Sequence, residues 1–104
     1  MKVDGFDWDS GNSMKNERKH GISQKSIELF FQKQPWVGPD MKHSDAEDRF
    51  LAIGKDGAEQ HMIVAFTFRI DKKNKKLIRP ISARYMHQKE VLKYEQASTT
   101  HENR

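Results

Sequence analysis

The chain has 104 residues, 33% of them charged, with a formal net charge of +4 and no cysteine. That length fits one domain, residues 1–96 with a polar tail 97–104 expected to be disordered. The missing cysteines exclude disulfides and thiolate metal sites and fit a reducing cytosol. No apolar run approaches a membrane span, and Met1-Lys2-Val3-Asp4 has no signal-peptide core, so a cytoplasmic protein without membrane contact is expected. Leu, Ile, Val and Phe make up only about a fifth of the chain, near the composition at which folding becomes marginal, so a partner is expected to share in the stability.

Lys2–Trp8 reads as an extended arm anchored by Val3, Phe6 and Trp8. Asp9-Ser10-Gly11-Asn12 offers N-cap residues for a short polar helix, Ser13–His20, with Gly21 as its stop. Ser23 caps a second helix, Gln24–Gln32, whose Ile27, Leu29, Phe30 and Phe31 form an apolar stripe, and Pro35 ends it. Trp36–Ala46, with Gly38-Pro39-Asp40, reads as a loop. Arg49–Lys55 is a strand, and Asp56-Gly57 signals a hairpin turn into the next one, Gln60–Ile70.

That strand carries the most apolar run in the chain, Met62-Ile63-Val64-Ala65-Phe66. Its alternation sets Met62, Val64, Phe66, Phe68 and Ile70 on one face, suited to lie under the second helix. His61, Ile63, Ala65, Thr67 and Arg69 take the other face, which turns polar towards its far end. A turn at Asp71–Lys76 leads back into Leu77–Arg84, and a last helix is expected over about His87–Gln96. The order β-α-α-β-β-β-α, with short turns between strands, predicts an α+β fold with an antiparallel sheet and helices packed on one face.

Positive charge concentrates in this hairpin. Arg69, Lys72, Lys73, Lys75, Lys76 and Arg79 stand against Asp71 alone, which suits an anionic partner; for the lysines the plainer reading is a solvated tip that resists edge pairing. Trp8 and Trp36 read as anchors of the arm and the loop, with base stacking as the alternative. His43, His61, His87 and His101 lack metal-ligand spacing.

Several pieces, in order, are Phe6-Asp7-Trp8-Asp9, Asn16 before Lys19-His20-Gly21, Glu47-Asp48-Arg49, Ala52-Ile53-Gly54, Arg69, Ile81-Ser82-Ala83-Arg84, Glu90 and Tyr94. Together they cover about 6–94, and the set resembles the BrnT toxins of bacterial type II toxin–antitoxin pairs, ribonucleases related to the RelE superfamily. Three positions depart from the family pattern. Asn12 stands where a lysine is usual, Pro80 replaces an apolar residue and removes a ladder N–H, and Met86-His87 replaces a small residue and Thr before the last helix. The first departure bears on the active site and the other two on structure.

The resemblance implies a RelE-like fold and cleavage of RNA without a metal or other cofactor. Such cleavage needs a base for the ribose 2′-OH, cations for the phosphorane charge and an acid for the leaving 5′-oxygen. The catalytic candidates are Arg49, Arg69, Arg79 and Arg84 from neighbouring strands, whose guanidinium groups suit bidentate phosphate binding, with His20 as acid or base and Lys19 as a second cation. Lys72, Lys73, Glu90 and Tyr94 are the substrate-binding candidates. Against these, His20 at a helix end suits terminal carbonyls, Asp48-Arg49 and Arg84-Glu90 suit structural ion pairs, and Tyr94 suits the core. Arg79 and Arg84, five apart, fall on opposite faces of a regular strand unless Pro80 marks a bulge.

The function expected from the resemblance is a toxin endoribonuclease that represses translation and growth. Its partner would be a ribbon-helix-helix antitoxin whose dimerisation gives a two-plus-two complex, so that operator DNA is met only through the antitoxin. A non-catalytic module that binds its antitoxin or nucleic acid is the alternative, and a different enzyme target such as a topoisomerase the third reading.

Overall fold

A computed structural model describes residues 2–13, 20–42 and 47–102. Among them the elements are β1 (Gly5–Phe6), α1 (Ser10–Ser13), α2 (Gln24–Gln32), β2 (Trp36–Pro39), β3 (Phe50–Lys55), β4 (His61–Ile70), β5 (Lys76–Tyr85) and α3 (Gln88–Glu102). The five strands form one sheet in the order β1-β5-β4-β3-β2. The pairs β2–β3, β3–β4 and β4–β5 are antiparallel, whereas β1 runs parallel to β5, so the sheet is mixed rather than wholly antiparallel.

The core forms as the β4 alternation predicts. Met62, Val64 and Phe66 are fully buried together with Ala52, Ile78 and Ala83, and α2 covers them with Ile27, Phe30 and Phe31. The Phe31 ring meets Phe66 edge-on at 5.1 Å, and Phe6 from the arm meets Phe31 at 5.8 Å. Ser23 caps α2 as expected, its side-chain oxygen accepting the Ser26 N–H at 3.1 Å. After α2 the chain passes so close to β3 that a Cβ at Gly54 would stand 3.1 Å from the Pro35 Cβ.

Trp36–Pro39 is a strand, not part of a loop. Gly38 and Pro39 argue against a central strand, but β2 pairs with β3 alone and lies at the sheet edge, where the missing proline N–H costs little. Both β-hairpins turn on the same five-residue device. Asp56 accepts the N–H groups of Ala58 and Gln60 on its carboxylate, and Asp71 does the same for Lys73 and Lys75. The left-handed residues are Glu59 and Asn74, so the Asp56-Gly57 pair marks the turn without its glycine taking the positive φ.

The helix expected over Ser13–His20 lies almost wholly outside the described residues; His20 is helical, and Gly21 follows at φ +67°, the left-handed conformation of a helix stop. The last helix runs to Glu102, six residues beyond the expected Gln96, and takes in most of the segment expected to be a disordered tail. It does not share the α2 face. Its Tyr94 meets His61 edge-on at 5.8 Å, and its Glu90, Tyr94 and Ala97 line a groove with Ile53 and Ile63 from the opposite face of the sheet.

One irregularity decides which side chains share that opposite face. Phe66 pairs with Pro80 while Ala65 pairs with Ser82, leaving Ile81 as the extra residue of a β-bulge. Pro80 turns its ring into the core, and Arg79, Ser82 and Arg84 all come to the face opposite α2. Across that face the register gives successive rows: Trp36, Ile53, Ile63 and Arg84; then Gly38, Leu51, Ala65 and Ser82; then Thr67 and Arg79; then Arg69 and Leu77.

Candidate active site on the open sheet face

Three of the four arginines singled out in the sequence gather at one end of this face. Arg69 Nη1 donates to Glu47 Oε2 at 2.7 Å. That bond first, then the nearby charges of Arg69, Arg49 and Arg79, hold the Glu47 carboxyl below its usual range despite some desolvation. Arg79 is also held from the arm: Nη2 donates to Asp9 at 2.8 Å and Nη1 to Asp7 at 3.4 Å. The arm reaches Arg79 because β1 pairs Gly5 with Leu77 and Phe6 with Ile78, so Asp7 and Asp9 emerge beside it. The Arg79 bond is the main cause that lowers the Asp9 carboxyl. Glu47 thus bonds Arg69 and lies near the charges of Arg49 and Arg79, while Asp7 and Asp9 hold Arg79 from the arm.

Asn12, at the position where the sequence departs from the family lysine, holds this arrangement from behind. It is buried at 5% exposure, and its side chain is fully used. The amide donates to the carbonyls of Asp7 at 3.0 Å and Pro80 at 2.9 Å, while its oxygen accepts the Asp9 N–H at 2.7 Å. It ties the arm to the bulged strand, a structural task. Pro80 keeps an accepting carbonyl although it lacks the ladder N–H.

Arg84 lies apart. It shares the face with Arg79 but sits four β4 positions away, roughly 13 Å along the strand, and both of its terminal nitrogens donate to Glu90 at 2.8 Å. Glu90 also accepts the His87 N–H at 2.9 Å, the reach-back half of a capping box, which makes up for the poor cap at His87. These contacts, Arg84 foremost, lower the Glu90 carboxyl to about 2. Arg84 and Glu90 therefore read as the ion pair that fixes α3 to β5.

A depressed carboxyl contributes stability above its unfolded value and loses it as pH falls through the folded one. With both side chains over a third exposed, solvent screening leaves about 1–2 kcal/mol for this pair. Glu90→Gln should lose that amount at pH 7, and the gap from the parent should close between pH 4.5 and about 2. Chemical denaturation across that pH series measures it.

The remaining candidates separate by position. Lys72 and Lys73 are exposed at the hairpin tip beyond Arg69, Tyr94 is half-buried against His61, and Lys19 lies outside the described residues. His20 is exposed and finds no partner among the described residues. Trp8 is an anchor, donating from Nε1 to Glu28 at 2.8 Å and stacking on Phe6. Trp36 is not, for it stands 56% exposed on the open face. Glu47, Asp7 and Asp9 were visible in the sequence inside short motifs; the parallel pairing of β1 with β5 discloses that Asp7 and Asp9 meet Arg79, and the bond from Arg69 discloses the role of Glu47.

A small α+β protein with arginines and carboxylates clustered on one open sheet face is suited to bind and act on a phosphodiester. The family of ribonuclease toxins, BrnT, of type II toxin–antitoxin systems matches residues 8–90. The chain belongs to that family: it is a type II ribonuclease toxin, and an antitoxin is its partner. No curated protein matches the chain. Among the described residues no helix is long and apolar enough to cross a membrane.

Proposed function

We infer that this toxin is a metal-independent endoribonuclease whose reaction centre is the Glu47 cluster on the open face. The observation that carries the reading is the Arg69–Glu47 pair on the open face, with the charges of Arg49 and Arg79 near the same carboxylate. In this reading the guanidinium groups take a scissile phosphate, and Glu47 accepts the proton of the adjacent 2′-OH. The 2′-oxygen forms a bond to phosphorus as the bond to the 5′-oxygen breaks. His20, with Lys19 as a second cation, gives the departing oxygen its proton. The products are a 2′,3′-cyclic phosphate and a 5′-hydroxyl.

Cleavage of cellular RNA in the cytoplasm represses translation and growth. A ribbon-helix-helix antitoxin neutralises the toxin by covering the basic face, and its dimerisation gives a two-plus-two complex that meets operator DNA through the antitoxin. One observation favours a second reading, a module that binds antitoxin or RNA without cleaving: carboxylates already hold Arg69 and Arg79, so a phosphate has to displace them. Incubating antitoxin-free protein with total RNA, with and without EDTA, separates the two. The proposed reaction gives EDTA-resistant fragments ending in cyclic phosphate and 5′-hydroxyl. Salt-sensitive binding with intact RNA supports the second reading.

A further inference from the structure

At the other end of the open face, the sheet and α3 enclose a groove of about 670 Å³ whose lining includes Trp36, Ile53, Ile63, Met86 and Tyr94. The volume is that of a small-ligand site, and the lining is apolar where it meets the sheet. Trp36 forms its outer wall. A Cβ at Gly38 would stand 2.3 Å from the far edge of the indole, so the ring lies against the bare backbone of β2 and is held there while 56% exposed. The exposed ring continues the apolar lining of Ile53, Ile63 and Met86 into one patch, the kind of surface that marks a binding site. Lys93 lines the same groove, and Arg84 stands in the same cross-strand row as Trp36, beyond Ile53 and Ile63.

We propose that this groove is a nucleobase-stacking site for single-stranded RNA, with Trp36 as the platform. The proposal rests on the ribonuclease reading for its ligand class. Three observations favour a nucleotide over an apolar protein segment. The ring surface is flat and exposed, which suits the face of a base of any sequence. The lining carries a cation, Lys93, and Arg84 already neutralises Glu90. The groove also shares its sheet face with the Glu47 cluster, four β4 positions away, so one extended strand can lie over both. Trp36 thus binds substrate away from the bond that breaks, and it sets which nucleotide near that bond is gripped.

The test uses a labelled 2′-O-methyl octanucleotide, which lacks the attacking hydroxyl, and an abasic octamer with the same backbone. Trp36→Ala should weaken binding of the first by about tenfold to a hundredfold. It should leave the abasic octamer and the slope of log affinity against log salt unchanged, because stacking releases no counterions. Trp36→Phe should recover part of the loss. Gly38→Ala, which displaces the ring without removing it, should fall between. Equal affinity of Trp36→Ala and parent for the base-bearing octamer overturns the proposal. So does an equal loss on both octamers, and so does a loss confined to antitoxin binding, which would assign the groove to the protein partner. Neither octamer is cleavable, so this result stands apart from whether the Glu47 cluster cleaves RNA.

Discussion

Replacing Glu47 with Gln should lower the rate of RNA cleavage by about 10²–10⁴-fold while leaving RNA affinity unchanged or higher. Glutamine keeps the shape and one accepting oxygen for Arg69, but it cannot take a proton from the 2′-OH. It also removes the negative charge that competes with phosphate for Arg69, so binding does not suffer. Single-turnover cleavage at saturating RNA isolates the chemical step, and a binding titration with uncleavable RNA checks the other half. A variant that cleaves at the parent rate removes Glu47 from the mechanism, whatever becomes of the arginines. The Arg69 bond holds Glu47 below the usual carboxylate range in the free protein.

The largest expected effect on stability outside the apolar core belongs to Asn12. Its side chain makes three hydrogen bonds at 2.7–3.0 Å, one of them to the buried Pro80 carbonyl. Asn12→Ala leaves that carbonyl and the Asp9 N–H without partners, at a cost of about 2–3 kcal/mol. For a domain of this size that corresponds to a melting temperature lower by roughly 10–20 °C. The same change loosens the arm that carries Asp7 and Asp9 to Arg79, so cleavage should change as well as stability. A melting temperature within a degree or two of the parent would show that the arm docks by Phe6 and Trp8 alone.

Much of the scaffold is legible in local pattern. The period-two run through Met62 to Phe68 specifies β4 and its buried face, Ser23 announces α2, and the stripe Ile27, Phe30 and Phe31 names the residues that cover the sheet. What local pattern misses depends on partners distant in the chain. Trp36–Pro39 looks like a loop because glycine and proline are unfavourable in a strand, and only its position at an edge makes them acceptable. The bulge at Ile81 was one of two alternatives open from Pro80 and the spacing of Arg79 and Arg84; the register of Phe66 against Pro80 decides it.

The candidate site divides in the same way. Arg49, Arg69 and Arg79 stand out as strand arginines, and the charges of all three reach Glu47. Arg84 carries the same signal, yet the structure commits it to Glu90, because a helix beginning two residues after β5 brings that carboxylate within reach. The meeting of Asp7 and Asp9 with Arg79 was hidden, since a two-residue parallel strand leaves almost no periodic trace in the sequence.

The contrast between these two arginine groups is the most direct test of the account. Single-turnover cleavage at saturating RNA should be measured for Arg69→Ala and Arg84→Ala, each shown to be folded. Arg69→Ala, which removes the partner of Glu47, should lose about 10²-fold or more. Arg84→Ala should stay within a few-fold of the parent, with its defect in stability and substrate affinity. Equal losses would remove the distinction between the two ends, and full activity in Arg69→Ala with none in Arg84→Ala would place the reaction at the other end of the sheet; either result contradicts a reaction centre at Glu47.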